Sequence, residues 1–142
     1  MESLYTLGDR QITSPLDGVV ITEGSNSSGQ SVGYISVDGG LSATIHANFK
    51  YGGGGTSLIA TVETYLGSTW LEVARFSFLL VSKQRIINIS ANTELLTAYD
   101  PVALSNDTGK SGIFGYRWRC VATSVGTYTN NTSLTVRMVQ RA

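Results

Sequence analysis

The sequence has little cysteine, proline and histidine, and the low counts of cysteine and histidine exclude intramolecular disulfides and zinc clusters. Its single cysteine, Cys120, cannot form an intramolecular disulfide, and no CxxC or Cys/His cluster is present that would hold zinc. Cys120 lies in the strand-like run YRWRCVATS, so we expect a small buried side chain rather than a nucleophile. Two prolines, sixteen glycines and abundant Thr, Val, Ser and Ile favour strands joined by tight turns.

Charge is also scarce. Charged residues make up 14% of the chain, against about 25% in a typical soluble domain. Ten basic and ten acidic residues cancel, and no basic stripe is present, so we expect no nucleic-acid partner. Low charge and a mean hydropathy of +0.06 suggest that a partner covers part of the surface. A plain β domain without a partner is the alternative.

Long hydrophobic runs are missing. The longest, FSFLLV, is far shorter than the roughly 20 residues that cross a bilayer. The N-terminal residues MESLYTLGDRQ contain neither a basic region nor an apolar segment of the secretory kind. We therefore expect synthesis in the cytoplasm and no membrane partner.

The clearest pattern covers residues 41–78. Apolar side chains alternate with polar ones at Leu41, Ala43, Ile45, Ala47 and Phe49, which predicts a strand with one buried face. Four glycines at positions 52–55 allow the chain to reverse. Two further β-rich runs, 58–65 and 70–78, complete a predicted three-stranded meander.

The rest of the chain predicts a single all-β domain. Residues 1–30 are weakly patterned and are interpreted as an N-terminal arm or edge segment outside the core, and residues 31–142 as the sandwich domain. Further strands are predicted over 31–37, 85–91, 113–125 and 134–139, with a hairpin turn at Asp38-Gly39-Gly40 and a hairpin loop at 126–132. The long connection 92–112 is expected to cross between sheets. The fold class is therefore an antiparallel β-sandwich of about eight strands.

Candidates for chemistry are few. Glu63 and Glu72 lie on adjacent predicted strands, as the paired carboxylates of a glycosidase would. A chance pair in a sheet explains them better, and the lone His46 has no recognisable triad. Loop oxygens from Asp100, Asn106 and Asp107 lack the order of a calcium-binding loop. We expect no enzymatic activity, no cofactor and no metal.

Aromatic and cationic side chains are better candidates for structure and binding. The predicted core anchors are Phe49, Trp70, Phe76, Phe78 and Trp118, with the Trp70 indole closing one end of the sandwich. Aromatic residues beside turns could alternatively form a sugar-stacking platform, and these are Tyr51, Tyr65, Trp70, Tyr99 and Tyr128. Arg117 and Arg119 give one strand a cationic face that could pair across a protein interface, or simply be solvated. Leu4, Tyr5, Leu7 and Ile12 are apolar groups of the arm that would need a partner.

A family resemblance rests on the order of five segments. They are FKYGGGGTS (49–57), TYLGSTWLEVARFSF (64–78), INIS (87–90), TAYDP…NDTGKSGIFGYRWR (97–119) and VGTYTNNTSLTVRMV (125–139). Over about residues 41–139 this order resembles small β-sandwich virion proteins of tailed bacteriophages and prophages. The stretch from Lys110 to Tyr116 lacks the aspartates of the DGILGD pattern in those proteins.

The resemblance implies a jelly-roll-like fold and a structural role. The implied role is that of a capsid decoration or cement protein, which binds the outside of a phage head. Such a protein would be made in the host cytoplasm. The partner implied is the major capsid protein. We also expect further copies of the chain as partners, in a homotrimer that matches the local threefold positions of an icosahedral shell. The N-terminal arm would latch onto the capsid or an adjacent subunit. Another virion part (a tail, fibre or head–tail connector domain) and a carbohydrate-binding module are the alternatives.

Overall fold

The computed structural model describes residues 2–37 and 39–142, and these residues form strands and loops without helix. Nothing in these ranges is a helix long and apolar enough to cross a membrane. The strands are β1 (Glu2–Gln11), β2 (Val19–Val20), β3 (Gly24–Ser25), β4 (Ser31–Val32), β5 (Ile35–Ser36), β6 (Ser42–Lys50), β7 (Gly53–Gly54), β8 (Ser57–Tyr65), β9 (Trp70–Phe78), β10 (Lys83–Ser90), β11 (Thr108–Gly109), β12 (Arg117–Val125), β13 (Tyr128–Thr129) and β14 (Ser133–Arg141).

Two antiparallel sheets pack face to face. One has the order β1-β14-β6-β10, and the other β11-β9-β8-β12-β2, with β5 also paired to β12. β2 and β5 pair with opposite halves of β12, so they act as one interrupted strand. Counting them as one gives eight principal strands, and their order in the two sheets is that of a jelly roll. The predicted all-β, jelly-roll-like sandwich is confirmed.

Three local pairings differ from the predictions. β8 and β9 form the predicted hairpin, but β6 pairs with β14 and β10 in the opposite sheet, so the three-stranded meander is wrong. Residues 126–132 likewise cross between sheets instead of closing a hairpin. Alternation fixes which face of a strand is buried but not its neighbour, which is why these errors arose. Asp38 of the predicted hairpin turn lies outside the described residues, but the strands before and after it, β5 and β6, lie in different sheets, so that hairpin is also wrong.

The core lies between the two sheets and takes alternate residues from each long strand. Along β6, Ala43, Ile45, Ala47 and Phe49 are buried as predicted, while Leu41 precedes the strand and is half exposed. Four of the five predicted anchors are fully buried, and these are Phe49, Phe76, Phe78 and Trp118. The buried Trp118 indole donates to the Gly115 carbonyl at 3.2 Å, so its polar atom is satisfied.

One end of the sandwich is closed by the glycine run. β7 pairs with β13, and the Tyr128 ring there packs edge-on against Phe49 and Tyr51, at 6.2 and 6.3 Å. Gly55 has a φ of +70° and lies so close to the Tyr128 ring that a Cβ would collide with it. The glycines therefore both reverse the chain and let Tyr128 cover the core.

The N-terminal segment is an edge element, which is one of the two predicted alternatives, and not an arm. Its contribution to the core corrects the prediction that it lies outside the core. β1 pairs with β14 from Glu2↔Arg141 to Gln11↔Ser133, so it is an edge strand of the four-stranded sheet. Leu7 and Ile12 are buried in the core, and Leu16 and Ile21 join them. Short apolar runs broken by polar residues hid this strand, since a bulge between Thr6 and Gly8 interrupts its alternation.

Leu7 and Leu4 provide a matched test on the same strand. Leu7→Ala leaves a cavity in the core and should cost about 2–5 kcal/mol. Leu4, which is 65% exposed, should tolerate alanine within about 0.5 kcal/mol. Urea denaturation of both variants measures the difference, and equally small losses would restore the arm interpretation.

Candidate functional site

The outer face of the six-stranded sheet carries two rows of chemically distinctive side chains. Across β12, β8 and β9, one row is Arg117, Tyr65 and Trp70, and the next is Arg119, Glu63 and Glu72. A register shift after Val62 places Val73 and Ala74 side by side in the core. This bulge turns the chain so that Glu72 and Arg75 both face outward, three residues apart.

Trp70 belongs to this outer face and not to the core, which corrects the prediction that it is a core anchor. Its side chain is half-buried, the Arg119 guanidinium lies 4.1 Å from the ring centre, and the Tyr65 ring packs against it at 5.1 Å. Arg119 also donates to a Glu63 carboxylate oxygen at 2.7 Å. The first position of a strand after a turn gave no signal of which face it would take.

Arg117 is surrounded by three tyrosines, Tyr34, Tyr65 and Tyr116, which we call the tyrosine cage. Its guanidinium carbon lies 4.3 Å from the Tyr34 ring centre, 5.3 Å from Tyr116 and 5.6 Å from Tyr65. Within residues 2–37 and 39–142, no carboxylate forms an ion pair with Arg117. Cation–π contact with the rings is its main interaction.

The backbone beneath the cage is held by a buried threonine. Thr64 Oγ1 accepts a hydrogen bond from the Gly115 amide at 2.9 Å and donates to the Arg117 carbonyl at 3.1 Å. A Cβ at Gly115 would collide with the Tyr65 carbonyl, so glycine permits this close approach. The Tyr65 hydroxyl donates to Gly67 at 3.0 Å, which fixes that ring. The cage is therefore held in place by the fold.

The paired carboxylates have structural partners. Glu63 and Glu72 face each other in the register, as the sequence suggested. Glu63 pairs with Arg119, while Glu72 lies 3.6 Å from Arg75 and accepts a hydrogen bond from the Leu104 amide. They border an open depression of about 280 Å³. Both carboxylates are engaged in holding the sheet and the adjoining loop.

The remaining candidates also serve the fold. Asp107 accepts hydrogen bonds from the Ser77 amide and hydroxyl, both at 2.8 Å, and Asn106 accepts from Arg75. These contacts fasten the 91–116 connection to β9. His46 is bonded to Gln84 on the outer face of the other sheet. Among the described residues, no three His, Cys, Asp or Glu side chains group as metal ligands.

The predicted interface residues do not form one surface. Arg117 and Arg119 lie together, whereas Leu4 lies in the opposite sheet and Tyr5 packs against the core. Sequence reasoning missed the role of Tyr34, which the fold brings to Arg117 from the β4–β5 connection, and of Tyr116, which precedes Arg117 in the chain. It found the end of the strand at Phe78 but missed that the tip Leu79-Leu80-Val81 is exposed, since apolar residues just after a strand give no sign of whether they are buried.

This arrangement is suited to protein recognition. Arginine, tyrosine and tryptophan are the residues most enriched at the energetic centres of protein interfaces. A sugar-stacking platform needs open ring faces, but Arg119 covers Trp70 and Arg117 covers Tyr34. Of the five aromatic residues proposed for such a platform, Tyr128 is buried and lies at the other end of β12.

Comparison with protein-family models, with curated proteins and with solved structures gives no match. The resemblance to phage virion proteins therefore stays a prediction from the sequence.

Truncating each tryptophan should separate the core from the outer face. Trp118→Ala removes a fully buried ring and should cost about 3–5 kcal/mol. Trp70→Ala loses contacts with Arg119 and Tyr65, which we expect to cost about 1–2 kcal/mol. Chemical denaturation measures both, and a larger loss for Trp70 would show that it anchors the core after all.

The buried thiol gives a second prediction. Burial, with a smaller contribution from Glu63, raises the pKa of Cys120 from 9.0 to about 12. The native thiol should stay protonated and inert to Ellman's reagent at pH 8, and react once the chain is unfolded. Because the pKa of the thiol is higher in the folded than in the unfolded chain, the protonated thiol contributes to the free energy of unfolding. This contribution is complete below pH 9 and is lost as pH rises towards about 12. Rapid labelling of native protein would contradict this.

Proposed function

We propose that this chain is a structural virion protein, a capsid decoration or cement protein that binds the outside of a tailed-phage head. Its partner is the major capsid protein, and its role is to stabilise the shell. The observation that carries the proposal is the jelly-roll order of the eight principal strands. This architecture recurs in viral capsid proteins, in lectins and in cupins.

The chemistry of the described residues favours the first of these classes. Cupin chemistry needs a cluster of metal ligands, and none is found in the ranges that the structure describes. Lectin-type stacking needs open aromatic faces, whereas arginines cover the rings of the outer sheet. A structural protein needs neither, and it does need surfaces that a partner can cover.

Exposed apolar loops provide such surfaces. Leu79, Leu80 and Val81 form a tip at one end of the sandwich, with 71%, 48% and 57% of each residue exposed. Leu96 in the connection 91–116 is 88% exposed. Clustered apolar groups of this kind are typical of interaction sites. They support assembly with a partner.

A homotrimer on local threefold positions of the shell is part of the proposal. Many copies on a lattice gain from multivalency, so each contact can be weak. Docking has to use sheet faces and loops, because the N-terminal segment that we expected to act as an arm is an edge strand with core side chains.

The alternatives differ in where the protein is found. As a tail, fibre or connector domain it would be a virion component at low copy number. As a carbohydrate-binding module it would use the depression beside Trp70, Glu63 and Glu72 and bind glycans as a monomer.

Quantitative mass spectrometry of purified virions tests the proposal. We expect copies per particle comparable to those of the major capsid protein, and binding of the purified chain to heads that lack it. Analytical ultracentrifugation should show trimers. Absence from virions would overturn the proposal, a few copies per particle would favour the tail or connector alternative, and glycan-array signal without head binding would favour the carbohydrate module.

A further inference from the structure

We propose that Arg117 in the tyrosine cage is a preformed receptor for a carboxylate, supplied by an Asp or Glu side chain of the capsid partner. The inference that Arg117 binds a carboxylate rests on the contacts of Arg117 in this structure. The identity of the partner rests on the proposed function.

The first argument is the state of the guanidinium. Of the seven arginines, Arg75, Arg85, Arg119 and Arg141 each have a carboxylate oxygen within 3.6 Å. Arg10, Arg117 and Arg137 have none within residues 2–37 and 39–142. Of these three, Arg117 alone is packed against aromatic rings in the described structure. Within the described residues, a positive charge is thus held at a half-buried position without an acid beside it.

The second argument is the direction of its hydrogen-bond donors. Stacking on a ring occupies the face of a guanidinium, and its N–H groups point outward in its plane. Such donors match the two oxygens of a carboxylate in a bidentate pair. Tyr116 of the cage is 47% exposed, and Leu66, which follows Tyr65 in the chain, is exposed as well. An incoming acid would therefore meet Arg117 beside surface that a protein partner can cover.

The third argument is pre-organisation. The rings come from three separate segments, the β4–β5 connection, the end of β8 and the residue before β12. Tyr65 and Tyr116 pack edge-to-face at 5.9 Å, and Thr64 holds the backbone beneath Arg117. Less side-chain freedom is lost on binding when the receptor is already ordered, which strengthens the contact.

Charge complementarity and packing together select a protein acid over an acidic sugar. The neighbouring arginine of the sheet, Arg119, is paired with Glu63, whereas Arg117 has no such partner among the described residues. A sugar acid would add a pyranose ring that needs an open aromatic face, and the Tyr34 face is occupied by Arg117 itself.

The receptor is tested first on the free protein. Arginine Nε–Hε resonances are followed by NMR while sodium acetate replaces sodium chloride at constant ionic strength. The Arg117 signal should shift saturably, and that of Arg137, an exposed arginine on the opposite sheet, should not. Tyr34→Leu should weaken the response and Tyr34→Phe should preserve it. No saturable shift at Arg117 would overturn the receptor.

Docking is tested on heads that lack the chain. Arg117→Gln should lower head affinity by about tenfold or more, because a partner carboxylate is left unpaired. Arg117→Lys should recover little, since lysine lacks the planar fork. Arg137→Gln is the matched control and should bind as the original does, with equal melting temperatures confirming that all three variants are folded.

The remaining outcomes distinguish failure of this inference from failure of the proposed function. Normal docking of Arg117→Gln, or equal losses for Arg137→Gln, would overturn the inference while the proposed function stands. Failure of the original chain to dock would overturn the proposed function and with it the capsid partner. Binding to uronic or sialic acid glycans that is lost in Arg117→Gln would replace the protein partner by an acidic sugar.

Discussion

The face-to-face packing of the two sheets is the constraint on which the rest of the structure depends. Each long strand sends alternate residues into one shared apolar layer, where Phe49 of one sheet meets Phe78 of the other at 5.3 Å. The layer includes the N-terminal strand, which brings Leu7 into it. Because inward positions are committed to packing, function has to use the outward positions and the loops.

Strand β12 illustrates this division. Trp118 and Cys120 point inward and are fully buried, while Arg117 and Arg119 point outward. The packing of the inward side chains fixes the position of the strand, and with it the positions of the outward side chains. As a result, two arginines two residues apart meet different surroundings, one an acid and a tryptophan, the other three tyrosines. Their difference comes from the neighbouring strands and not from β12 itself.

Sequence reasoning reached the fold class and most of the core because alternation is a local signal. It found the strand faces at Phe49, Phe76 and Trp118. It could not find the β6–β14 pairing, since pairing depends on contacts about ninety residues apart. It placed Trp70 in the core because this residue follows a turn and begins a strand that ends in the apolar run FSF, a position that does not reveal which face the side chain takes. The site was half visible: Arg117 and Arg119 stood out, but the approach of Tyr34 is a product of the jelly-roll winding.

A surface fixed by the fold has a different physical character from an arm that orders on its partner. An ordering arm loses conformational freedom when it binds, which lowers affinity for the area covered. Here the edge strand is already paired to β14 and the cage is already assembled around Arg117. Binding through such a surface requires little rearrangement, so its strength depends mainly on the fit of the partner. For a protein that would occupy many equivalent positions, this makes every copy present the same geometry.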